Sequence, residues 1–146
     1  MQRIEETFEI ARPVDQVYAE INNVGEIGYA IAGVKEVKVI NDTESQWKIE
    51  AKAGFLSKTV ELRGRIVERR PPEYLGFEGD GRQVKVRGHI DLAPVGVTGT
   101  RCHVLIEAQV AGALGPIADL IAKGPQQKLI RDTVANLKRR LERQAA

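Results

Sequence analysis

The side chains of this sequence best placed for chemistry are two histidines on neighbouring strand-like runs, Arg82 to Leu92 and Thr100 to Val110. A hairpin register centred on Gly96 makes His89 and His103 direct cross-strand neighbours, close enough for two imidazoles to share a metal, with Asp91 or Glu107 as third ligand. Their parity puts them on the polar side of the sheet, where exposed polar residues are the ordinary finding, so no metal and no cofactor is assigned. Glu6 and Lys58 are the charged residues whose parity points to the apolar side, where charge is costly unless paired or near a rim. Glu6 could orient a ligand or act as a base, and a bulge near the strand start accounts for it as well. Tyr18 is the remaining acid–base candidate. Neither stands in a triad, and the G-x-G at Gly79 and Gly81 lies in a turn rather than before a helix, so no catalytic residue is assigned.

The elements that hold these residues follow from periodicity. In the first run Val84, Val86, Gly88, Ile90 and Leu92 share one face, and in the second Cys102, Val104, Ile106, Ala108 and Val110 do so. Alternation of this length predicts a curved antiparallel sheet with one dry face and one wet face. A first strand is expected from about Arg3 to Ala11. Pro13 then opens a short helix carrying Val14, Val17, Tyr18 and Ile21, which ends near Asn22 and Asn23. Val24 to Ala32 reads as a second short helix or helical turn before Gly33 opens another strand. A two-residue turn at Gly54 and Phe55 pairs Lys48 with Glu61, Trp47 with Leu62 and Ile49 with Val60. Pro71 and Pro72 close that hairpin, and Tyr74, Leu75 and Phe77 start the next strand. The Gly96-centred register of the last hairpin pairs Asp91 with Arg101 and Lys85 with Glu107. A long amphipathic pattern follows, with a kink or break expected at Gly124 and Pro125.

Composition narrows the function classes. With 146 residues, 42% of them hydrophobic, the chain fits one domain over residues 1–146 with a real core. A net charge of +2 argues against a dedicated nucleic-acid binder, and the late basic cluster reads as a solvated helix end. Cys102 is the only cysteine and points inward, as an inert thiol in a reducing cytoplasm would. No stretch has the length of a transmembrane helix, and the charged N-terminus lacks the apolar core of a signal peptide. A soluble cytoplasmic protein is expected.

Strand, two short helices, an antiparallel run and a long C-terminal helix is the helix-grip order, an α+β fold in which the sheet wraps the helix. On this order, and on F-E-I-A-R-P-V-D-Q-V at Phe8 to Val17, I-A-G-V at Ile31 to Val34, the run from Gly54 to Pro72 and V-A-G-A-L-G-P-I-A at Val110 to Ala118, the chain resembles the SRPBCC or START-like superfamily. Within it, the chain resembles the CoxG family associated with carbon monoxide dehydrogenase. The resemblance implies the helix-grip (START/Bet v 1-like) fold and an accessory role beside a molybdenum hydroxylase of the carbon monoxide dehydrogenase type. Family members often carry tryptophan where this chain has Tyr18 and proline where it has Ala32, and some continue into a membrane-tethering tail, which is not expected here.

The dry space between sheet and C-terminal helix is where function is expected. Tyr18, Tyr29, Trp47, Phe55 and Phe77, with the apolar Leu62, Val86, Ile106, Ile117 and Ile121, are the expected lining. Gly64 and Gly88 either relieve strain in a bent sheet or leave volume for a flat ligand, and Gly88→Leu is expected to abolish binding while sparing the fold. The first reading is a noncatalytic carrier of a hydrophobic small molecule of the lipid, isoprenoid or quinone class. Two others stand beside it: a cyclase- or hydrolase-type enzyme using Glu6 or Tyr18, and an interaction module with a filled core.

Overall fold

The structure, a computed structural model, describes residues 2–53, 56–82, 84–110 and 125–143. Its strands are β1 (Gln2–Ile10), β2 (Val34–Val39), β3 (Glu44–Ala53), β4 (Leu56–Arg70), β5 (Tyr74–Asp80), β6 (Val84–Val95) and β7 (Gly99–Val110). They form one seven-stranded antiparallel sheet in the order β1-β7-β6-β5-β4-β3-β2. Between β1 and β2 lie α1 (Val14–Asn22), α2 (Val24–Ile27) and a 3-10 turn at Gly28–Ala30, and α3 (Pro125–Arg143) follows the sheet. This is the expected helix-grip arrangement.

Local chemistry explains the elements. Pro13 caps α1 from extended backbone (φ −60°, ψ 148°), and its carbonyl accepts from the Gln16 and Val17 amides. The spacing of Val17, Tyr18 and Ile21 turns all three onto the sheet, where they are buried with Ile10, Leu75, Leu92, Cys102 and Leu141. Each fully buried aliphatic side chain contributes about 1.5–3 kcal/mol. This packed core lies at one end of the inner sheet face.

The same end is fastened by polar contacts across the length of the chain. Arg12, only 6% exposed, donates from Nη1 to the Leu141 carbonyl at 2.9 Å and from Nε to Gln16 Oε1 at 3.0 Å. The Arg12 carbonyl accepts from the fully buried Thr100 hydroxyl at 2.8 Å. Glu142 accepts from the Ala11 amide at 2.9 Å, Thr133 from the Ala32 amide at 3.0 Å, and Asn136 donates to the Ala30 carbonyl at 3.1 Å. The C-terminal part of α3 is therefore locked onto the turn after β1 and onto the 3-10 turn. The break expected at Gly124 and the apolar positions 114–121 lie outside the described residues.

The β3–β4 register is as expected: Trp47 faces Leu62, Lys48 faces Glu61 and Ile49 faces Val60, while the tip at Gly54 and Phe55 lies outside the described residues. The β6–β7 register differs from expectation by two residues. Asp91 faces His103 rather than Arg101, and Arg87 rather than Lys85 faces Glu107, with an ion pair at 3.3 Å. The cause is the loop, which holds the residues between Val95 and Gly99 and takes its left-handed residue at Gly96 (φ +64°), so its centre is Val97. Moving the centre by one residue moves every pair by two and leaves both faces unchanged. Among the described residues, no helix is long and apolar enough to cross a membrane.

Candidate functional site

The inner sheet face is filled unevenly. At the α3 end it is sealed by the core described above. Further along, Ile4, Leu62, Val86 and Ile106 are only half-buried, although Val84 and Ala108 on the same face are buried. The register makes them one band: Ile4 faces Ile106, Ile106 faces Gly88, and Val86 faces Gly79. A Cβ on Gly79 would lie 3.7 Å from Val86 Cβ and 4.0 Å from Leu62 Cδ1, which carries the band on to β4. Four strands thus contribute a continuous apolar strip that the described helices leave partly uncovered. Leu62, Val86 and Ile106 of this strip are among the residues expected from the sequence to line a ligand space. Phe55, Ile117 and Ile121, expected to complete it, lie outside the described residues.

The expected inward glycines serve a different end. A Cβ at Gly88 would stand 2.4 Å from the Leu105 carbonyl oxygen and 2.8 Å from Phe77 Cζ, so the Phe77 ring already covers this glycine. A Cβ at Gly64 would stand 2.8 Å from Trp47 Nε1. Both positions give their space to an aromatic ring rather than to a cavity. Gly88→Leu is accordingly not a clean cavity-filling variant, because a backbone carbonyl stands in the way.

Tyr18 and Tyr29 part company. Tyr29 is 46% exposed, and its hydroxyl accepts from the Val37 amide at 3.0 Å and donates to the Val37 carbonyl at 3.4 Å, so it fastens the sheet edge. Tyr18 is 7% exposed, and among the described residues its hydroxyl has no hydrogen-bond partner. A buried hydroxyl without a partner costs about 1–3 kcal/mol. Glu6 takes the inward parity expected of it, opposite Val104 on the edge strand β1, and is exposed. Cys102 is buried against the core, and that burial pushes its thiol pKa up to about 12. It is an inert thiol at neutral pH.

The outer face carries the polar groups. His89 and His103 are diagonal rather than directly opposed, with ring centroids 6.4 Å apart, because Asp91 takes the place opposite His103. Tyr74 stacks on His89 at 5.4 Å, and Arg70 lies 4.2 Å from the Tyr74 ring centroid. A depression of about 250 Å³ on this side is lined by Glu36, Lys38, Lys48, Glu61 and Arg63 among others, and a smaller one of about 110 Å³ lies where α1 and α2 meet the β2–β3 turn. The larger one also touches Trp47 and Leu62, so it reaches the β4 end of the apolar strip, whereas the smaller one does not border the strip. Arg12 is the residue of greatest structural consequence that sequence reasoning passed over, since its partner carbonyl lies 129 positions away.

Comparison with known proteins fits this geometry. No curated protein sequence matches the chain. Among solved structures, a conserved protein from Geobacillus kaustophilus superposes with TM-score 0.80 at 18% identity, over 98% of this chain and 96% of that one. A START superfamily protein from Mycobacterium smegmatis gives TM-score 0.77 at 12% identity, over 98% and 99%. The Zhui aromatase/cyclase from Streptomyces sp. R1128 gives 0.68 at 15% identity, over 99% and 96%. At such identities the likeness is one of fold. Residues 1–142 match the family described as polyketide cyclase / dehydrase and lipid transport, and to that family the chain belongs.

Proposed function

We propose that this protein is a carrier for an apolar small molecule of the lipid, isoprenoid or quinone class, held between the inner sheet face and the C-terminal helix. The observation that carries the reading is the half-buried strip of Ile4, Leu62, Val86 and Ile106 beside a fully packed core. Apolar area left partly wet on an inward surface gains about 25 cal/mol per Å² when a ligand covers it. The buried Tyr18 hydroxyl, which lacks a hydrogen-bond partner among the described residues, would give an oxygen-bearing ligand that reached it one polar contact. Selection would rest on shape more than on hydrogen bonds. The protein acts as one domain over residues 1–146, and a cytoplasmic location fits its single buried thiol. An accessory role beside a molybdenum hydroxylase rests on the CoxG resemblance alone, and the carrier reading does not depend on it.

Tyr18 also favours a second reading, an enzyme of the cyclase type, because a buried hydroxyl without a partner among the described residues is free to hydrogen-bond a reacting group. The test is native mass spectrometry of freshly purified protein, followed by organic extraction and identification of what leaves it. A retained apolar molecule recovered unchanged supports the carrier. Conversion of an added polyketide-like substrate, lost in Tyr18→Phe, would replace it with the enzyme. A bare chain that takes up no added fatty acid, isoprenoid or quinone and converts no polyketide-like substrate would sink both and leave the interaction module with a filled core.

A further inference from the structure

We propose that His89, Asp91 and His103 form a binding site for one divalent transition-metal ion on the outer sheet face, away from the apolar strip. The ligand atoms are already gathered: one nitrogen from each imidazole and one Asp91 oxygen all lie within 4.8 Å of one another. His89 Nε2 is 3.2 Å and His103 Nδ1 is 3.6 Å from Asp91 Oδ2. Zinc bonds of about 2.0–2.1 Å put tetrahedral ligand atoms about 3.3–3.4 Å apart, so two edges of the polyhedron are close to formed. Small side-chain rotations bring in the third.

Two features on neighbouring strands orient the set. His103 Nε2 lies 2.8 Å from Glu5 Oε2 on β1, and a proton held there leaves Nδ1 with its lone pair toward Asp91. A carboxylate on the far nitrogen of a ligating histidine fixes the tautomer and raises the basicity of the ligand. Glu5 is itself steadied by Arg3 at 3.5 Å. His89 is held by the stacked Tyr74 ring, which Arg70 covers from its own ion pair with Glu68 at 2.7 Å. Two imidazoles and one carboxylate suit zinc, nickel or copper rather than calcium or magnesium. With three protein ligands on an open sheet face, the fourth position faces solvent and takes water. The register of β6 and β7 builds the site, since it sets Asp91 opposite His103 and His89 on the diagonal.

The test uses tag-free protein stripped with chelator and titrated with Zn²⁺ alone by calorimetry. One equivalent should bind. His103→Ala and Asp91→Asn should each abolish saturable uptake, and Glu5→Gln should weaken it about 10–100-fold, as loss of an orienting partner does. Co²⁺ added to the unaltered protein should give the visible bands of a low-coordinate site and displace the ring-proton resonances of His89 and His103, the only two histidines of the chain. Absence of saturable Zn²⁺ binding, or Co²⁺ that leaves both imidazoles unmoved, would overturn the site. Uptake unchanged in a His89→Ala/His103→Ala double variant would do the same. None of these outcomes bears on the apolar ligand, so the two proposals stand or fall apart.

Discussion

The indole of Trp47 lies directly on Gly64: a Cβ at that glycine would meet Nε1 at 2.8 Å and the Ser45 hydroxyl, to which Nε1 donates, at 3.0 Å. Gly28 closes the slot from the 3-10 turn, where a Cβ would meet the same ring at 2.8 Å. The ring is thus wedged between β4 and the turn. Gly64→Ala should cost about 1–3 kcal/mol, as overpacking a rigid ring does, and should shift the emission of the only tryptophan. Urea unfolding followed by that emission reads both. A variant as stable as the parent would mean that the indole can leave the slot cheaply.

Gly88 is the stricter position, because the obstacle is the Leu105 carbonyl oxygen rather than a side chain. Gly88→Ala should destabilise more than Gly64→Ala, and soluble expression together with thermal melting ranks the two. Equal melting points would show that β7 can yield at Leu105.

What the sequence made legible, and what it hid, follows from the range of each signal. Period two assigned the faces of β6 and β7 because parity survives any even slip, as the position of Val86, Gly88 and Ile106 shows. The register did not follow, because opposite charges meet in both alignments: Asp91 with Arg101 and Lys85 with Glu107 in one, Arg87 with Glu107 in the other. Loop geometry at Gly96 decided between them, and a glycine does not announce which loop position it fills. The inward glycines at positions 64 and 88 were visible, but the rings that cover them, Trp47 and Phe77, come from neighbouring strands. Arg12 was invisible as a core residue, since between Ala11 and Pro13 nothing local distinguishes it from a surface arginine.

Arg12 fastens both chain ends of the packed core. Its guanidinium satisfies the Leu141 carbonyl in the last turn of α3, where cations are favoured, and its carbonyl satisfies Thr100. Arg12→Ala should cost about 1.5–3 kcal/mol, the range for hydrogen bonds to charged groups, and should loosen α3 first. Hydrogen exchange at residues 137–143 should quicken more than in β6 or β7. A uniform increase throughout the sheet would show that α3 and the sheet open as one unit.

Cys102 offers a test of core integrity by pH. Burial raises its thiol from an ordinary 9.0 to about 12, so the folded state disfavours the thiolate. The resulting contribution to stability is fully present below pH 9 and is lost as pH rises toward 12. Iodoacetamide should therefore leave folded protein unmodified at pH 8 and label it completely in urea. Cys102→Ala should flatten whatever part of the alkaline stability loss belongs to the thiol. Labelling of the folded protein at the rate of a free thiol would contradict the burial.

Tyr18 separates stability from ligand recognition. Its hydroxyl is buried with no hydrogen-bond partner among the described residues, and removing such a group relieves a desolvation penalty of about 1–3 kcal/mol. Tyr18→Phe should thus leave the ligand-free protein as stable as the parent or more so. If the hydroxyl holds the polar end of the ligand, the same change should weaken binding about 5–10-fold, the worth of one hydrogen bond of about 1–1.5 kcal/mol. Melting the stripped protein and titrating it with the extracted molecule gives both quantities. Higher stability joined to weaker binding would place Tyr18 in the site, because a residue that only fills the core cannot move the two in opposite directions. A loss of stability with unchanged binding would instead make the hydroxyl part of the packing and leave the apolar strip to hold the ligand by shape alone.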